Sequence, residues 1–177
     1  AIMDFGATHC RPRRPLCDHC TMRPHCVAFR EKRIDQLPVK VKKIKRKTRF
    51  FNFLVLDHED TVYLQKREAK DIWRLLYQFP LIESKQLLNA KELVQHSEFQ
   101  HLLNESSYQI DRVSKPFQQQ LTHQTIKAKF WEIRLQKALS TKKECYNLVN
   151  RKNLNKFAFP KMIDLYLQDK SLYLDLR

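Results

Sequence analysis

The chain has 177 residues and five cysteines, of which Cys10, Cys17, Cys20 and Cys26 fall close together as C-x6-C-x2-C-x5-C. Thiols at that density make a tetrahedral four-sulfur donor set, suited either to a [4Fe-4S] cluster or to a structural zinc ion. Disulfides are the third reading, but a basic chain with no secretion signal points to a reducing compartment, where they are rare. Zinc ribbons usually pair two C-x2-C knuckles, whereas this sequence has one, at Cys17 and Cys20, so the spacing favours iron-sulfur. Cys145 stands alone, far along the chain, and reads as a small core residue of a strand.

Between the first two thiols runs Arg11-Pro12-Arg13-Arg14-Pro15-Leu16, which puts three guanidinium groups on a short stiff span. Guanidinium forks suit phosphate oxygens, and a metal clamp would fix the loop before binding. A second basic run, Lys40 to Arg49, holds seven cations and no acid, and Lys40, Lys42 and Lys43 join the arginines as candidate phosphate contacts. The alternative for both is a solvated charged surface. Overall, 34 Lys and Arg oppose 19 Asp and Glu, a net charge of +15, and residues 1–49 alone carry 14 cations against 4 acids. A polyanionic partner is therefore expected, read mainly by the front of the chain.

The elements that must position these groups follow from pattern. With 42% hydrophobic and 11% aromatic residues the chain can bury a core, so it is not a disordered polybasic tail, and its short apolar runs leave no membrane span. Its single glycine, Gly6, excludes Walker P-loops and G-x-G-x-x-G dinucleotide folds. Residues 1–9 read as the end of a helix that opens in mid-pattern, so a preceding segment is expected; 27–33 read as one or two helical turns, and 34–49 as an extended basic linker. Residues 50–56 and 62–66 predict an antiparallel hairpin across a polar turn. Residues 72–82 predict a core-crossing loop with a short strand, and 84–104 one helix or two short ones. Two longer strands over 108–122 and 126–136, another near 144–149, and a helix over 160–168 led by Pro160 complete an α+β layer fold from about residue 50. Trp73, Tyr77, Phe79, Phe130 and Trp131 are expected in the core. Lys127 and Lys129 share a strand face, near Arg134 and Lys137 in sequence, which is either an extension of the basic surface or simply solvated.

Residues 1–7, Ala-Ile-Met-Asp-Phe-Gly-Ala, followed by the four-cysteine spacing, resemble the cluster region of the endonuclease III superfamily of DNA glycosylases. The stretch from Asp71 to Pro80, Asp-Ile-Trp-Arg-Leu-Leu-Tyr-Gln-Phe-Pro, is similar to the Trp and Phe-Pro signature of the adenine glycosylases of the MutY family. The resemblance implies a [4Fe-4S] cofactor on Cys10, Cys17, Cys20 and Cys26. It also implies an α+β architecture divided into 1–33, the end of a helical glycosylase domain with its cluster loop, 34–49, a basic linker, and 50–177, a Nudix-like mixed-sheet domain of α/β/α type. That domain is implied to recognise 8-oxoguanine opposite adenine in double-stranded DNA during base-excision repair. The family's Phe-Ser-His recognition loop maps onto Leu121, Thr122 and His123, with Leu121 in place of the aromatic.

The family's catalytic Glu and Asp lie upstream of the first cluster cysteine, so no catalytic residue is assigned here and the chain is expected to bind without cleaving. Asp4 belongs to the helix that enters the cluster and takes no such role. A Nudix pyrophosphatase is excluded by the missing glycines and the missing Arg-Glu-Glu helix for magnesium. The competing function is a zinc-stabilised nucleic-acid adaptor with no enzymatic role, which metal content separates from the first. A monomer in a bacterial cytoplasm, with no membrane partner, is expected.

Overall fold

A computed structural model of the chain describes residues 1–11, 13–37, 39, 46–103, 106–139 and 146–168, together with the backbone at 173–174. The chain divides into two compact units, Ala1–Lys45 and Arg46–Arg177.

The first unit is held by turns. Helix α1, Ile2–Thr8, is followed by a loop of consecutive tight turns in which Cys20 N donates to Cys17 O (3.3 Å), Arg23 N to Cys20 O (3.1 Å) and Cys26 N to Arg23 O (3.2 Å). The last of these spans a 3-10 turn, Arg23–His25, stiffened by Pro24. Helix α2, Val27–Arg30, ends in a Schellman motif: Lys32 N donates to Phe29 O, Arg33 N donates to Ala28 O, and Lys32 takes the left-handed position at φ 54°. No described residue of this unit is buried, and Ile2 and Met3 are 89% and 88% exposed.

The second unit is built on one mixed sheet. Strand β1, Lys47–His58, and strand β2, Thr61–Lys66, form the expected hairpin, with Glu59 (φ 48°) and Asp60 (φ 63°) both left-handed at its turn, as a twist-matched two-residue connection requires. β1 runs parallel to the long strand β7, Gln124–Leu135, from Lys47 opposite Gln124 to Asp57 opposite Arg134. Short strands β3 (Tyr77–Gln78) and β4 (Leu81–Ser84) extend β2 and β1 respectively. β5 (Tyr108–Ser114) and β6 (Phe117–Gln120) lie on the other side of β7, β8 (Asn147–Asn150) pairs with β2, and β9 (Tyr173–Leu174) pairs with β5.

Both faces of this sheet are covered. Phe51, Phe53 and Val55 of β1 and Ile126, Ala128 and Phe130 of β7 pack under helix α5, Lys161–Gln168, whose Tyr166 ring stacks on Phe130 at 4.0 Å. Leu54, Leu56, Trp131 and Ile133 pack under two short helices, α3 (Ala90–Gln95) and α4 (Ser97–Leu103), through Leu93, Phe99 and Leu103. Asn89 starts α3 with a capping box, accepting from Glu92 N at 2.9 Å while its own N donates to Glu92 Oε2 at 2.8 Å. Burial on both faces explains why the middle of β1, apart from the buried and hydrogen-bonded Asn52, is apolar without alternation. The layers are the α/β/α arrangement expected from the sequence.

Two boundaries differ from expectation. Lys47, Thr48 and Arg49 belong to β1 rather than to a linker, because the parallel ladder with β7 begins at Lys47. The strand expected over 108–122 is broken at Lys115-Pro116: proline has no N–H for the ladder. The buried Ser114 hydroxyl fills the gap, accepting from Phe130 N at 3.0 Å and donating to Lys115 O at 2.8 Å. Phe79, Phe130 and Trp131 are buried as expected, whereas Trp73 and Tyr77 are partly buried against the core. Cys145 lies outside the described residues.

Candidate nucleic-acid interface

Thr122 and His123 form the tip of the hairpin joining β6 to β7. Gln120 opposite Thr125 is the last ladder pair, and Leu121 N closes the turn onto Gln124 O at 2.8 Å. Leu121 is partly buried against the core, as is Phe117 of β6, so the aliphatic residue serves as an anchor for the hairpin. Thr122 and His123 are exposed, and among the described residues neither side chain has a hydrogen-bond partner. Lys47 N donates to His123 O at 3.2 Å, which ties the tip to the start of β1, where the basic run arrives. A hydroxyl and an imidazole thus stand free beside the start of a strand with basic side chains, able to donate and accept hydrogen bonds.

Two residues further along β1, Arg49 anchors an ionic network that the sequence did not reveal. Its guanidinium donates to both Asp71 oxygens at 2.8 Å and to Glu83 at 2.6 and 2.7 Å, and it lies over the Phe51 ring at 4.9 Å. Arg67 completes the network, donating to Asp71 Oδ2 (2.9 Å), Gln78 Oε1 (2.6 Å) and Ile72 O (3.0 Å). Hydrogen bonding to Glu83 raises the pKa of Arg49 further above its ordinary value, and burial lowers that of Arg67. Burial alone would push Asp71 up, but the Ile72 N–H and the two arginines outweigh it and hold the carboxyl below its usual range; Glu83 is held down first by its Arg49 bonds. The only local clue in sequence was the i, i+4 spacing of Arg67 and Asp71; the pairs to Arg49 and Glu83 are made by the fold.

In the first unit, Arg11, Arg13 and Arg14 are exposed. Arg13, Arg14 and Lys32, with Phe29 and Asp35, line an open cleft of about 680 Å³, and Arg14 is left-handed at φ 53°. The four cysteines of the loop form no disulfides with one another. The Cys17 thiol is pushed up by burial and then by the neighbouring Cys20, Cys26 and Cys10, so the other three lie within its electrostatic reach. Among the described residues, no three His, Cys, Asp or Glu side chains converge closely enough to hold a metal ion. The donor set itself, soft sulfurs on one turn-rich loop, fits a thiolate-ligated iron-sulfur group or zinc. Lys40, Lys42 and Lys43 lie outside the described residues. Lys129 is not simply solvated: its Nζ donates to Leu88 O at 3.0 Å, and Arg134 is paired with Asp111 at 2.8 Å. No helix of the described residues is long and apolar enough to cross a membrane.

A mixed sheet between helices, with a polar hairpin tip beside a basic strand end, defines a three-layer α/β/α domain. The chain belongs to the family described as the NUDIX domain, whose model matches residues 52–169. That span contains no glycine, so the fold is present without the glycines of the pyrophosphatase box. The chain is similar to the adenine DNA glycosylases of Buchnera aphidicola subsp. Schizaphis graminum, 33% identical over 84 residues, and subsp. Acyrthosiphon pisum, 31% over 85; each match covers 48% of this chain and 24% of the relative. The chain thus spans about a quarter of the length of these curated relatives. In fold it is similar to the C-terminal domain of mouse MUTYH, solved in complex with human PCNA, with a TM-score of 0.50 and 13% identity over 73% of this chain and 93% of that one.

Proposed function

We propose that this chain is the lesion-reading C-terminal part of an adenine DNA glycosylase, acting in base-excision repair on adenine mispaired with 8-oxoguanine. The observation that carries the reading is the free Thr122-His123 tip bound to the start of β1, in a fold whose relatives include proteins named adenine DNA glycosylase. Guanine offers N7 as an acceptor, whereas 8-oxoguanine offers N7–H as a donor beside a C8 oxo acceptor. A threonine hydroxyl can accept from the first and donate to the second, a match that guanine cannot provide. His123 serves the adjacent phosphate, and Arg11, Arg13, Arg14, Lys40, Lys42 and Lys43 supply sequence-independent phosphate attraction.

Cys10, Cys17, Cys20 and Cys26 would hold a [4Fe-4S] cluster, which when bound supplies a cross-link among four thiolates and an iron-sulfur centre capable of electron exchange. The protein itself supports a staple of this kind, because a unit with no buried described side chain cannot be held by hydrophobic burial. The chain's own residues bind and discriminate, while hydrolysis of the adenine N-glycosidic bond falls to residues of the parent enzyme outside this chain.

The test is duplex binding at one fixed salt concentration, with iron assayed on the same sample. Tighter binding to 8-oxoguanine opposite adenine than to guanine opposite cytosine, with iron present, is the expected result. Replacing Thr122 and His123 by alanine should remove about tenfold of that preference, about 1.4 kcal/mol, while general duplex affinity persists. Equal affinity for both duplexes overturns the lesion-reading role, and zinc without iron moves the chain to the adaptor class.

A further inference from the structure

The loop between β2 and β3 carries features that the Thr122-His123 tip does not account for. Trp73 and Leu75 both sit in the left-handed region, at φ 59° and 69°, where bulky residues are uncommon. Leu75 is 58% exposed, and Arg74 between them is exposed with no ion-pair partner among the described residues. The strained backbone is held from below: Leu75 N donates to Arg67 O at 2.7 Å, Arg67 N to Leu76 O at 2.9 Å, and Arg67 Nε to Ile72 O at 3.0 Å. Trp73 supports it from within, edge-on to Phe51 at 6.0 Å. The fold therefore holds one cation and one aliphatic side chain outward on a finger clamped at both ends.

The position of that finger follows from the ionic network. Asp71, three residues before Arg74, is bonded to Arg49, and Arg49 lies two strand residues, about 7 Å, from Lys47, which carries the Thr122-His123 tip. The finger and the tip thus stand at the same end of the sheet. Exposed Lys66 and Lys70, with the exposed Glu68 between them, precede the finger, and exposed Arg46 and Lys47 stand at the strand start that holds the tip. Such a basic rim suits a polyanion long enough to touch both places.

We propose that the Trp73–Leu75 finger is a second duplex-contacting element, with Arg74 paired to a backbone phosphate and Leu75 against the adjoining sugar. This rests on the reading of the chain as a DNA-binding domain. It assigns the finger to positioning along the duplex, leaving lesion preference to Thr122 and His123.

Arg74→Gln tests it in the full chain, because an exposed side chain with no described partner can be changed without unfolding the domain. One lost phosphate contact should reduce the slope of log affinity against log salt by about 0.9 and weaken binding to damaged and undamaged duplexes by the same few-fold factor. Lys152→Gln is the charge-matched control. Lys152 is exposed next to Arg151, which pairs with Asp57 at the far end of β1, and its replacement should leave the slope within about 0.3 of the parent value. If Arg74→Gln behaves like Lys152→Gln while the parent chain still prefers the lesion, the finger does not touch DNA and the lesion-reading role stands. If the parent chain binds no duplex at all, both readings fall together.

Discussion

At the scale of single residues, the same backbone angle carries opposite consequences at Trp73 and Leu75. Leu75 exposes most of its side chain, so its left-handed conformation is strain with little packing in return. Leu75→Gly should relieve about 1–2 kcal/mol of steric strain and give back about 0.5–1 through the freer unfolded chain, a net stabilisation of about 0.5–1 kcal/mol. Urea unfolding with an unchanged m-value would show it as a raised midpoint. Trp73→Gly gains the same relief but loses the edge-on contact with Phe51, and the expected net loss is about 2 kcal/mol. Neither residue's conformation was legible in the sequence, because composition marks left-handed positions only where they are occupied by glycine or asparagine. Thr122 and His123 were singled out by resemblance to a motif, but their exposure and their tie to Lys47 depend on pairings between distant segments.

At the scale of elements, the Arg49 network joins β1, the β2–β3 connection and β4 through two carboxylates whose pKa values are held below normal. A carboxylate with a lower pKa in the folded state favours folding in full above its unfolded pKa, about 4, and loses that contribution as the pH falls through its folded value. The second unit should therefore lose stability on acidification below about pH 4, and Asp71→Asn, already less stable at neutral pH, should show a flatter decline. Unfolding midpoints at pH 7 and pH 3 for both chains would measure this, and parallel declines would remove Asp71 from the account. The hairpin of β1 and β2 and the helix pair α3 and α4 were readable from apolar spacing, because each is a local element with its own turn or cap. The break between β5 and β6 could have been read from Pro116, and the three-residue extension of β1 could not, since Lys47, Thr48 and Arg49 are strand only by virtue of β7.

At the scale of the whole molecule, the two units rely on different kinds of cohesion. Every residue of the two hydrophobic clusters lies at or beyond Phe51, and these clusters fill both faces of the sheet. The unit Ala1–Lys45 has no buried described residue and is held by turns, a Schellman motif and the contact of Arg23 over Phe29 at 4.3 Å. Small units of that kind are usually held by a covalent or metal staple, and on the proposed reading the four thiols of the cysteine loop supply it. Replacing Cys17 and Cys20 by serine should therefore strip protection from the cysteine loop and leave the sheet intact. Hydrogen exchange read by mass spectrometry should find the amides of Cys20, Arg23 and Cys26, which now close successive turns, exchanging at near-unfolded rates. Peptides from β1 and β7 should keep the protection of the parent chain, and the thermal midpoint of the sheet should move by less than about 2 °C, the shift expected for well under 1 kcal/mol in a domain of this size. Loss of protection in both regions at once would mean that the loop and the sheet unfold as one cooperative body. Unchanged protection in the loop would mean that its turns hold without any staple, and the case for a bound cluster would then rest on cysteine spacing alone.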